Sequence, residues 1–497
     1  MSETSKAAGR RTPRHAIATP SVTISTAILV ALLLAAAAGP ARAQIAGPAA
    51  GTSTANGATA ATGATAANAA IAAAITTQRI EVLVPRTLRL PPFDVPHSLQ
   101  VPSGFSIDVA ARVPDARFML VLPSHDLLVS NPANGSITLV RPAEQSGASP
   151  TYQGVFASGL SRPHDMLLHR VRDVDYLYIA LSDRIVRTRY QSGATKIGAI
   201  ETVVSGLPDA STAELNGRYG HELKNIALHG NKLYVSVAST CNVCASDTRA
   251  NPVRAAIHEF DADGGNGRLY ARGLRNAAGL RFQPGSDVMW AVVNGRDNIA
   301  FPFHRDLDGD GSDDYGKILP GYVDHHPPDL LTRVRDGGNY GWPFCNPNPD
   351  QSLDAMPYDR DVQLNPEGAA LDCNAIDRVT KGIAAHSAPL GLNFLQEPGL
   401  PAPFGTAMLV ALHGCWNCSR LNGHKVVMYN LREDGTPGDA IDLVSGWVTD
   451  AQRRQRWGRP VAALGDGRGT IYISDDLSGT IYRLRKPGTT GSQAVSP

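Results

Sequence analysis

Short apolar segments alternate with turn residues in a pattern that repeats six times along the chain. In each repeat, an apolar segment is followed by a turn and then by a second segment rich in β-branched or aromatic residues, which favour strands. The second segments lie at residues 127–130, 176–180, 232–236, 288–292, 407–411 and 470–474. Most are followed by a third segment of the same character, at residues 136–140, 184–187, 256–260, 424–428 and 480–484.

These repeats predict the architecture. Spread over residues 78–490, they leave about 69 residues for each repeat, which is enough for a four-stranded sheet and its loops. Repeated antiparallel sheets of this size are typical of β-propellers. We therefore predict an all-β protein, a six-bladed β-propeller with four-stranded antiparallel blades.

The N-terminal region has the features of a secretory signal. Arg10 and Arg11 precede an apolar run at residues 27–38, and the Ala-Arg-Ala sequence at 41–43 offers small residues where a signal peptidase reads. The run is shorter than the ~20 residues that cross a bilayer. We predict a signal peptide at 1–43, a periplasmic or secreted mature protein, and no integral membrane span after cleavage.

Two further segments are expected to lie outside the propeller. Residues 44–77 are mainly Ala, Gly and Thr and carry no charge, which predicts a flexible linker. Residues 491–497 are predicted to form a disordered tail.

The overall charge is balanced. The chain has 46 Lys and Arg against 45 Asp and Glu, a formal net charge of +1. A global positive field that would attract nucleic acid or anionic lipid is therefore excluded, and no nucleic-acid partner is expected. An anion site must be built locally.

A local cationic site is predicted where each repeat begins. One polar residue precedes the first segment of every repeat, and these residues are Arg117, His164, His221, Arg275, His386 and Arg459. In a propeller, such positions line one mouth of the central channel. Strand-edge charges in water are the simpler interpretation of any single residue. Six cationic or cationisable groups together would repel one another, which favours a pocket for a compact polyanion.

Several motifs resemble the pyrroloquinoline quinone (PQQ)-dependent glucose/sorbosone dehydrogenases. They are Gly-Leu-Arg-Asn at 273–276, Pro-Pro-Asp at 327–329, Gly-Gly-Asn-Tyr-Gly-Trp-Pro at 337–343, Gly-Arg-Pro-Val at 458–461 and Ser-Asp-Asp at 474–476. The resemblance runs from about residue 101 to 484. It implies a six-bladed propeller that holds PQQ, a tricarboxylate quinone, and Ca²⁺ at the channel mouth.

The resemblance also implies roles for individual residues. His221 matches the general base that removes the substrate's hydroxyl proton, and Arg275 and Asn276 match residues beside the quinone carbonyl. Arg459 and Arg456 match arginines that clamp the cofactor carboxylates. The remaining expected cofactor contacts are Arg117, His164 and His386.

The expected Ca²⁺ ligands lie in the loop after the second strand of the fourth repeat. In the family they include main-chain carbonyls, which makes Gly295, Arg296 and Asp297 the candidates here. Two departures are visible. Soluble glucose dehydrogenases of the family orient the base with an Asp, whereas this chain has Ser239 and Thr240, closer to the sorbosone branch. A family lysine that contacts the cofactor has no counterpart at residues 411–418.

A separate Asp-rich stretch resembles a calcium-binding loop. Asp306, Asp308, Asp310 and Asp314 occupy positions 1, 3, 5 and 9, and Lys317 stands at position 12, where Glu is usual. A second, structural Ca²⁺ and a plain Asp-rich turn both remain open.

Six cysteines predict disulfides in an exported protein. The best pair is Cys345 with Cys373. The two Cys-x-x-Cys pairs, Cys241 with Cys244 and Cys415 with Cys418, could form disulfides or a four-thiolate zinc site. No His follows either pair, so no covalent haem is expected, and electrons would leave to a separate acceptor, a cytochrome or a quinone.

These observations favour an exported quinoprotein that oxidises a hydroxyl or hydrated aldehyde of a sugar or other polyol. One alternative is a Ca²⁺-dependent lactonase on the same fold. That chemistry would need several side-chain carboxylates at the mouth, where the repeats supply Arg and His. The other alternative is a propeller that binds partners without catalysis.

Overall fold

Strands dominate the part of the chain that the computed structural model describes, residues 75–354 and 356–488. The predicted signal peptide and tail, and all but the end of the predicted linker, lie outside these residues. Among the described residues, no helix is both long and apolar enough to cross a membrane.

Six four-stranded antiparallel sheets form the blades of this region, which confirms the predicted fold class. Their strands are given from the first to the outermost. Blade 1 consists of Met119–Val121, Leu127–Asn131, Ser136–Arg141 and Tyr152–Ala157, and blade 2 of Met166–Val171, Val174–Ala180, Ile185–Arg189 and Glu201–Val204. Blade 3 consists of Ile226–His229, Lys232–Val237, Ala256–Asp261 and Arg268–Arg272, and blade 4 of Asn276–Phe282, Met289–Asn294, Asp329–Val334 and Lys381–Ile383. Blade 5 consists of Pro389–Gln396, Thr406–Leu412, Lys425–Tyr429 and Ile441–Val444, and blade 6 of Pro460–Gly465, Thr470–Asp475, Thr480–Arg485 and Ser106–Arg112.

The first strands of neighbouring blades contact one another in a closed ring, from blade 1 through blade 6 and back to blade 1. The segment that leads into each first strand therefore lies at the same end of the ring. This end is the channel mouth to which the predicted cationic residues belong.

An N-terminal strand closes the ring. Ser106–Arg112 pairs antiparallel with Thr480–Arg485 as the outermost strand of blade 6, so the two ends of the propeller chain share one sheet. Asp108 on the closing strand accepts two hydrogen bonds from Arg483, at 3.0 and 2.6 Å, and both side chains are buried. This closure was not predicted, because the closing strand lies far in sequence from its partner.

Apolar side chains fill the space between adjacent blades. Trp290 and Val292 of blade 4 pack with Met408 and Val410 of blade 5 in one buried cluster. Successive side chains of a strand point to opposite faces, and the second strands Leu127–Asn131 and Met289–Asn294 are buried along almost their whole length, because each blade is covered on both faces by its neighbours. The unbroken apolar segments of the sequence thus reflect the stacking of the blades.

Smaller elements decorate the blades. Gly338–Asn339 adds a parallel strand to blade 3, and Pro320–Val323 is a short helix in the long insertion of blade 4. Two-stranded hairpins and 3₁₀ helices complete the described elements: Thr77–Glu81 with Ser98–Pro102, Cys345–Pro347 with Tyr358–Arg360, Val448–Asp450 with Gln455–Arg456, Arg86–Leu88, Ala213–Leu215 and Ala245–Arg249.

All six cysteines are paired. The disulfides are Cys345–Cys373, Cys241–Cys244 and Cys415–Cys418. The predicted disulfides are therefore confirmed. The zinc alternative is wrong, because each Cys-x-x-Cys pair is bonded within itself and no thiolate remains for a metal.

Candidate active site

Five of the six residues predicted at the channel mouth lie just before the first strand of their blades. The residue predicted for the third repeat, His221, requires a correction. In blade 2, the amide of His164 donates to Ala180, whose own amide donates to Asp165. The same ladder in blade 3 runs from the Ser236 amide to Asn225. Lys224, which precedes Asn225, therefore stands where His164 stands, and His221 lies three residues farther out.

Lys224 is fully buried. Its Nζ donates to the main-chain oxygens of Pro208 at 2.8 Å and Glu222 at 2.5 Å. Burial lowers the pKa of Lys224 to about 7. Lys224 therefore occupies the position that was predicted for His221, and its ammonium group is bonded to main-chain oxygens.

His221 is held in one orientation. Its Nδ1 lies 3.0 Å from the main-chain oxygen of Ser239 and 3.2 Å from the Ser239 hydroxyl. A carbonyl oxygen only accepts hydrogen bonds, which assigns the proton to Nδ1 and the lone pair to Nε2. Nε2 makes no hydrogen bond to any described residue and is not enclosed. Burial, followed by the positive charge of Arg275, lowers the pKa of His221 to about 4, so the ring is neutral near pH 7.

Arg275 lies buried beside His221. Its Nη2 donates to the Asp297 carboxylate at 2.8 Å and to the side chain of Asn242 at 3.0 Å, and its Nε donates to the main-chain oxygen of Asn242 at 3.3 Å. The guanidinium keeps its charge although burial lowers its pKa, because an arginine is not deprotonated in proteins. A fixed positive charge thus stands next to a neutral imidazole.

Asn276 follows Arg275 into the first strand of blade 4. Its Nδ2 donates to Asn294 Oδ1 at 3.0 Å, and Asn294 donates in turn to the main-chain oxygen of Pro389 at 2.7 Å. These bonds fix the Asn276 side chain between blades 4 and 5.

His386 and Asp329 connect the blade 4 loop to blade 5. His386 Nδ1 lies 3.9 Å from Asp297 Oδ1. The buried Asp329 carboxylate accepts the amides of Gly295 at 2.7 Å and Ala388 at 2.8 Å, and burial raises the pKa of Asp329 to about 6. We call His221, Arg275, Asp297, His386 and Asp329 the base cluster.

A second group, the arginine cluster, consists of Arg117, Arg456, Arg459, His413 and Asp476. Asp476 accepts Arg117 at 2.6 Å and His413 Nε2 at 2.9 Å. Arg459 donates to the main-chain oxygen of His413 at 3.2 Å, and the Arg456 side chain has no hydrogen bond or ion pair within the described chain. Burial lowers the pKa of Arg459, and the charges of Arg456 and Arg117 act in the same direction. Of the three arginines in this cluster, Arg117 alone forms an ion pair with a carboxylate of the described chain.

His164, predicted as a cationisable residue of the mouth, has surroundings that favour the neutral imidazole. Burial, followed by the charge of Arg117, lowers its pKa to about 3, and its ring packs on Phe118 with centroids 4.3 Å apart. Nδ1 lies 3.2 Å from the main-chain oxygen of Lys224, and Nε2 is buried without a partner among the described residues.

One of the three main-chain carbonyls predicted to bind Ca²⁺ is already hydrogen-bonded within the protein. The carbonyl of Asp297 accepts the Asn242 side chain at 2.7 Å, whereas the Gly295 and Arg296 carbonyls accept no hydrogen bond from the described chain. The Arg296 guanidinium pairs with Asp361. Two carbonyls and the Asp297 carboxylate are therefore the atoms that remain for a hard cation.

The Asp-rich stretch brings three of its four predicted residues together. Ligand oxygens of Asp306, Asp308 and Asp314 lie within 4.8 Å of one another, and Asp310 is not part of this group. Lys317 Nζ lies 2.8 Å from Asp314 and neutralises one of the three carboxylates. The second calcium site stays a prediction.

Several residues of the site were missed in the sequence. Lys224 could have been found, because it lies two residues before the first strand of its blade, as Arg117 and His164 do. Asp476 was visible only as part of the Ser-Asp-Asp motif. Asn242 and His413 gave no sequence signal, because their contacts join loops of different blades.

Comparison with known proteins identifies the family. Residues 99–487 match the TrAA12-like family model. Among solved structures, the chain is similar to the calcium structure of a Trichoderma reesei family AA12 carbohydrate-active enzyme (TM-score 0.63, 18% identity, 78% of this chain and 96% of that one). It is also similar to the holo PQQ domain of pyranose dehydrogenase from Coprinopsis cinerea (TM-score 0.61, 20% identity, 78% and 97% covered). At these identities, the structural matches establish the fold.

Two curated relatives extend the comparison. A PQQ-dependent pyranose dehydrogenase of Coprinopsis cinerea is 25% identical over 296 residues, which are 52% of this chain and 38% of the relative. An uncharacterized protein of Borreliella burgdorferi is 23% identical over 282 residues, 56% of this chain and 62% of the relative. The chain thus spans less than two thirds of the length of these curated relatives. The resemblance to soluble quinoprotein sugar dehydrogenases is confirmed, and because the family model covers most of the chain, this protein belongs to the TrAA12-like family.

Proposed function

We propose that this protein is a PQQ-dependent oxidoreductase that oxidises a hydroxyl or hydrated aldehyde of a sugar or other polyol and passes the electrons to a separate acceptor. The family and the curated pyranose dehydrogenase relative support the cofactor and the substrate class. A cyclic sugar such as a pyranose is the first substrate to test. We also propose specificity of the glucose/sorbosone type. The residue beside the base is Ser239, whereas soluble glucose dehydrogenases of the family have an Asp.

The observation that carries the proposal is the state of His221. Removing hydride from a carbon that bears a hydroxyl leaves a protonated carbonyl unless the hydroxyl proton departs as well. His221 can take that proton at Nε2, because Ser239 holds Nδ1 as the donor and the ring is neutral. Arg275 keeps a positive charge beside the same space and can stabilise negative charge on a bound oxygen.

The arginine cluster fits a tricarboxylate. Arg456 has no acceptor among the described residues, with Nε buried and unpartnered, and Arg459 bonds only to main-chain oxygens. Arg117 has Asp476 as its partner but leaves its Nε unpaired. Unneutralised guanidinium groups favour carboxylates, which they can bind through two parallel hydrogen bonds.

PQQ, when bound, supplies the hydride acceptor. Arg117, Arg456 and Arg459 would hold its carboxylates, and Arg275 and Asn276 would lie on the side of the base. The oxygens of Gly295, Arg296 and Asp297 would hold Ca²⁺, a hard cation that suits carbonyl and carboxylate ligands. His164 and His386 would complete the walls of the site.

We also propose that the protein is exported from the cytoplasm. Three disulfides within one chain are typical of proteins that function outside the cytoplasm. This agrees with the signal peptide predicted at residues 1–43.

The direct test is turnover. The purified protein is incubated with PQQ and Ca²⁺, and reduction of a dye acceptor is followed with a panel of aldoses, ketoses and polyols. Sugar-dependent dye reduction that requires added PQQ is the expected result. Turnover that is independent of PQQ, or hydrolysis of lactones without dye reduction, would contradict the proposal.

A further inference from the structure

We propose that Asn242 is a positioning residue that locks Arg275 and Asp297 together and thereby sets the geometry of the base cluster. This inference rests on the proposed function. It comes from a loop, residues 239–244, that contacts both candidate catalytic side chains.

Both polar atoms of the Asn242 side chain and its main-chain oxygen form hydrogen bonds. Its Oδ1 accepts Arg275 Nη2 at 3.0 Å and the Asp297 amide at 2.8 Å, while its Nδ2 donates to the Asp297 carbonyl at 2.7 Å. Its main-chain oxygen accepts Arg275 Nε at 3.3 Å and Trp342 Nε1 at 3.2 Å. One residue of blade 3 therefore holds a side chain and a loop of blade 4.

The same loop holds the base. The amide of Ser239 donates to the Arg275 carbonyl at 2.7 Å, and the carbonyl and hydroxyl of Ser239 contact His221 Nδ1. A displacement of residues 239–244 would move His221 and Arg275 at once. Errors of about 1 Å in such groups can slow a reaction 100-fold.

Two features fix the loop itself. The Cys241–Cys244 disulfide closes a small ring around Asn242. Thr240 donates from its amide and hydroxyl to the buried Asp247 carboxylate, at 2.7 and 2.8 Å, and Asp247 faces Arg254. The loop is thus anchored on both sides of the residue that carries the contacts.

The side-chain chemistry distinguishes two substitutions. Asn242→Ala removes the acceptor of the Asp297 amide and of Arg275 Nη2 but leaves the main chain intact. Asn242→Asp keeps the Oδ1 acceptor, replaces the Nδ2 donor by a carboxylate oxygen and adds a negative charge next to Arg275. If Asn242→Ala folds poorly, the Asp variant still tests the assignment.

Amide hydrogen exchange of the protein without PQQ gives a readout that needs no activity. The Asp297 amide should exchange at least ~10-fold faster in Asn242→Ala than in the wild type, and should stay protected in Asn242→Asp, because only the first loses the acceptor. In the PQQ-loaded enzyme, kcat of Asn242→Ala should fall roughly 10- to 100-fold with KM changed much less.

Asn417→Ala is the matched control. Asn417 lies in the other Cys-x-x-Cys loop, where its Nδ2 contacts Asn298 at 3.4 Å. Exchange of the Asp297 amide and kcat should both stay at wild-type values in this variant.

The outcomes separate the two proposals. A wild type without PQQ-linked turnover would overturn the proposed function even if the exchange pattern is as expected. Active wild type with an unchanged Asp297 amide in Asn242→Ala, or with faster exchange but wild-type kcat, would overturn the role of Asn242. Equal losses in Asn242→Ala and Asn417→Ala would overturn it as well, since they would report general loop damage.

Discussion

Single contacts decide the chemistry at the residue scale. The Ser239 carbonyl assigns the Nδ1 proton of His221, and burial beside Arg275 keeps its ring neutral. Burial also lowers the pKa of His413, to about 4, although the hydrogen bond and the charge of Asp476 oppose the shift. Among the histidines of the base cluster and the arginine cluster, only His221 combines a fixed Nδ1 donor with an open Nε2, whereas Nε2 of His386 and of His413 is hydrogen-bonded, and His221 is therefore the proposed base.

Replacing the base should slow the chemical step. For His221→Ala, PQQ binding should persist, while the rate at which sugar reduces bound quinone in a single turnover should fall about 10²- to 10⁴-fold. His229→Ala is the control, because His229 lies on the surface beside Asp287. Equal rates in His221→Ala and the wild type would exclude His221 as the base.

Removing one unneutralised arginine should weaken the cofactor site. Arg459→Ala should raise the Kd for PQQ about 10- to 100-fold, because a hydrogen bond to a charged group contributes about 1.5–3 kcal/mol. Arg453→Ala, in the adjacent hairpin where Arg453 is exposed beside Asp450, should leave Kd unchanged. An equal change in both variants, measured by equilibrium titration, would argue against specific clamping by Arg459.

At the scale of elements, alternation and turn spacing were sufficient to predict the blades but not their closure. Every predicted second strand is present, and both of its ends lie within two residues of the prediction. The third strand of blade 4 was missed, since a long insertion separates it from Met289–Asn294. The closing strand Ser106–Arg112 was also missed, because pairing between chain ends leaves no local pattern.

The same limit applies to the site. Counting back from the second strand placed His221 at the channel mouth in the third repeat, whereas the hydrogen bonds between the first two strands place Lys224 at that position. Spacing cannot detect the extra residues in that loop. The sequence could indicate which residue types gather at the mouth, but the partition into two clusters depends on contacts of Asp297 and Asp476 across blades.

The closing strand should be held strongly by its buried ion pair. Asp108→Ala leaves Arg483 buried without its carboxylate, which should lower the free energy of unfolding by about 3–5 kcal/mol in denaturant titrations. Asp175→Ala breaks the similar pair with Arg170 on the surface and should cause a much smaller loss. Comparable losses would show that the closure does not depend on the Asp108–Arg483 pair.

For the whole molecule, buried histidines link stability to pH. Burial lowers the pKa of His164 to about 3, and those of His221, His413 and His424 to about 4. In the unfolded chain these groups take up protons below about pH 6.5. Unfolding therefore becomes more favourable as pH falls from about 6.5 towards 4.

The size of this effect can be measured. Each group that gains a proton on unfolding contributes a slope of about 1.4 kcal/mol per pH unit, so the free energy of unfolding should drop steeply between pH 6.5 and 4. Chemical denaturation across this range checks the slope. His413→Asn should reduce the slope by up to about 1.4 kcal/mol per pH unit, because one fewer group takes up a proton on unfolding. A free energy that stays constant over the range would contradict the neutral, buried state of these histidines.

The proposed function requires that the channel mouth binds a carboxylated quinone next to a base that is ready to accept a proton. Anaerobic titration of the purified protein with PQQ in Ca²⁺, followed by addition of a pyranose, tests both parts through the quinone absorbance. Saturation at one PQQ per chain and reduction of the bound quinone by the sugar are the expected results. Absence of saturable binding to the folded protein, or binding that Arg459→Ala and Arg456→Ala leave unchanged, would contradict it.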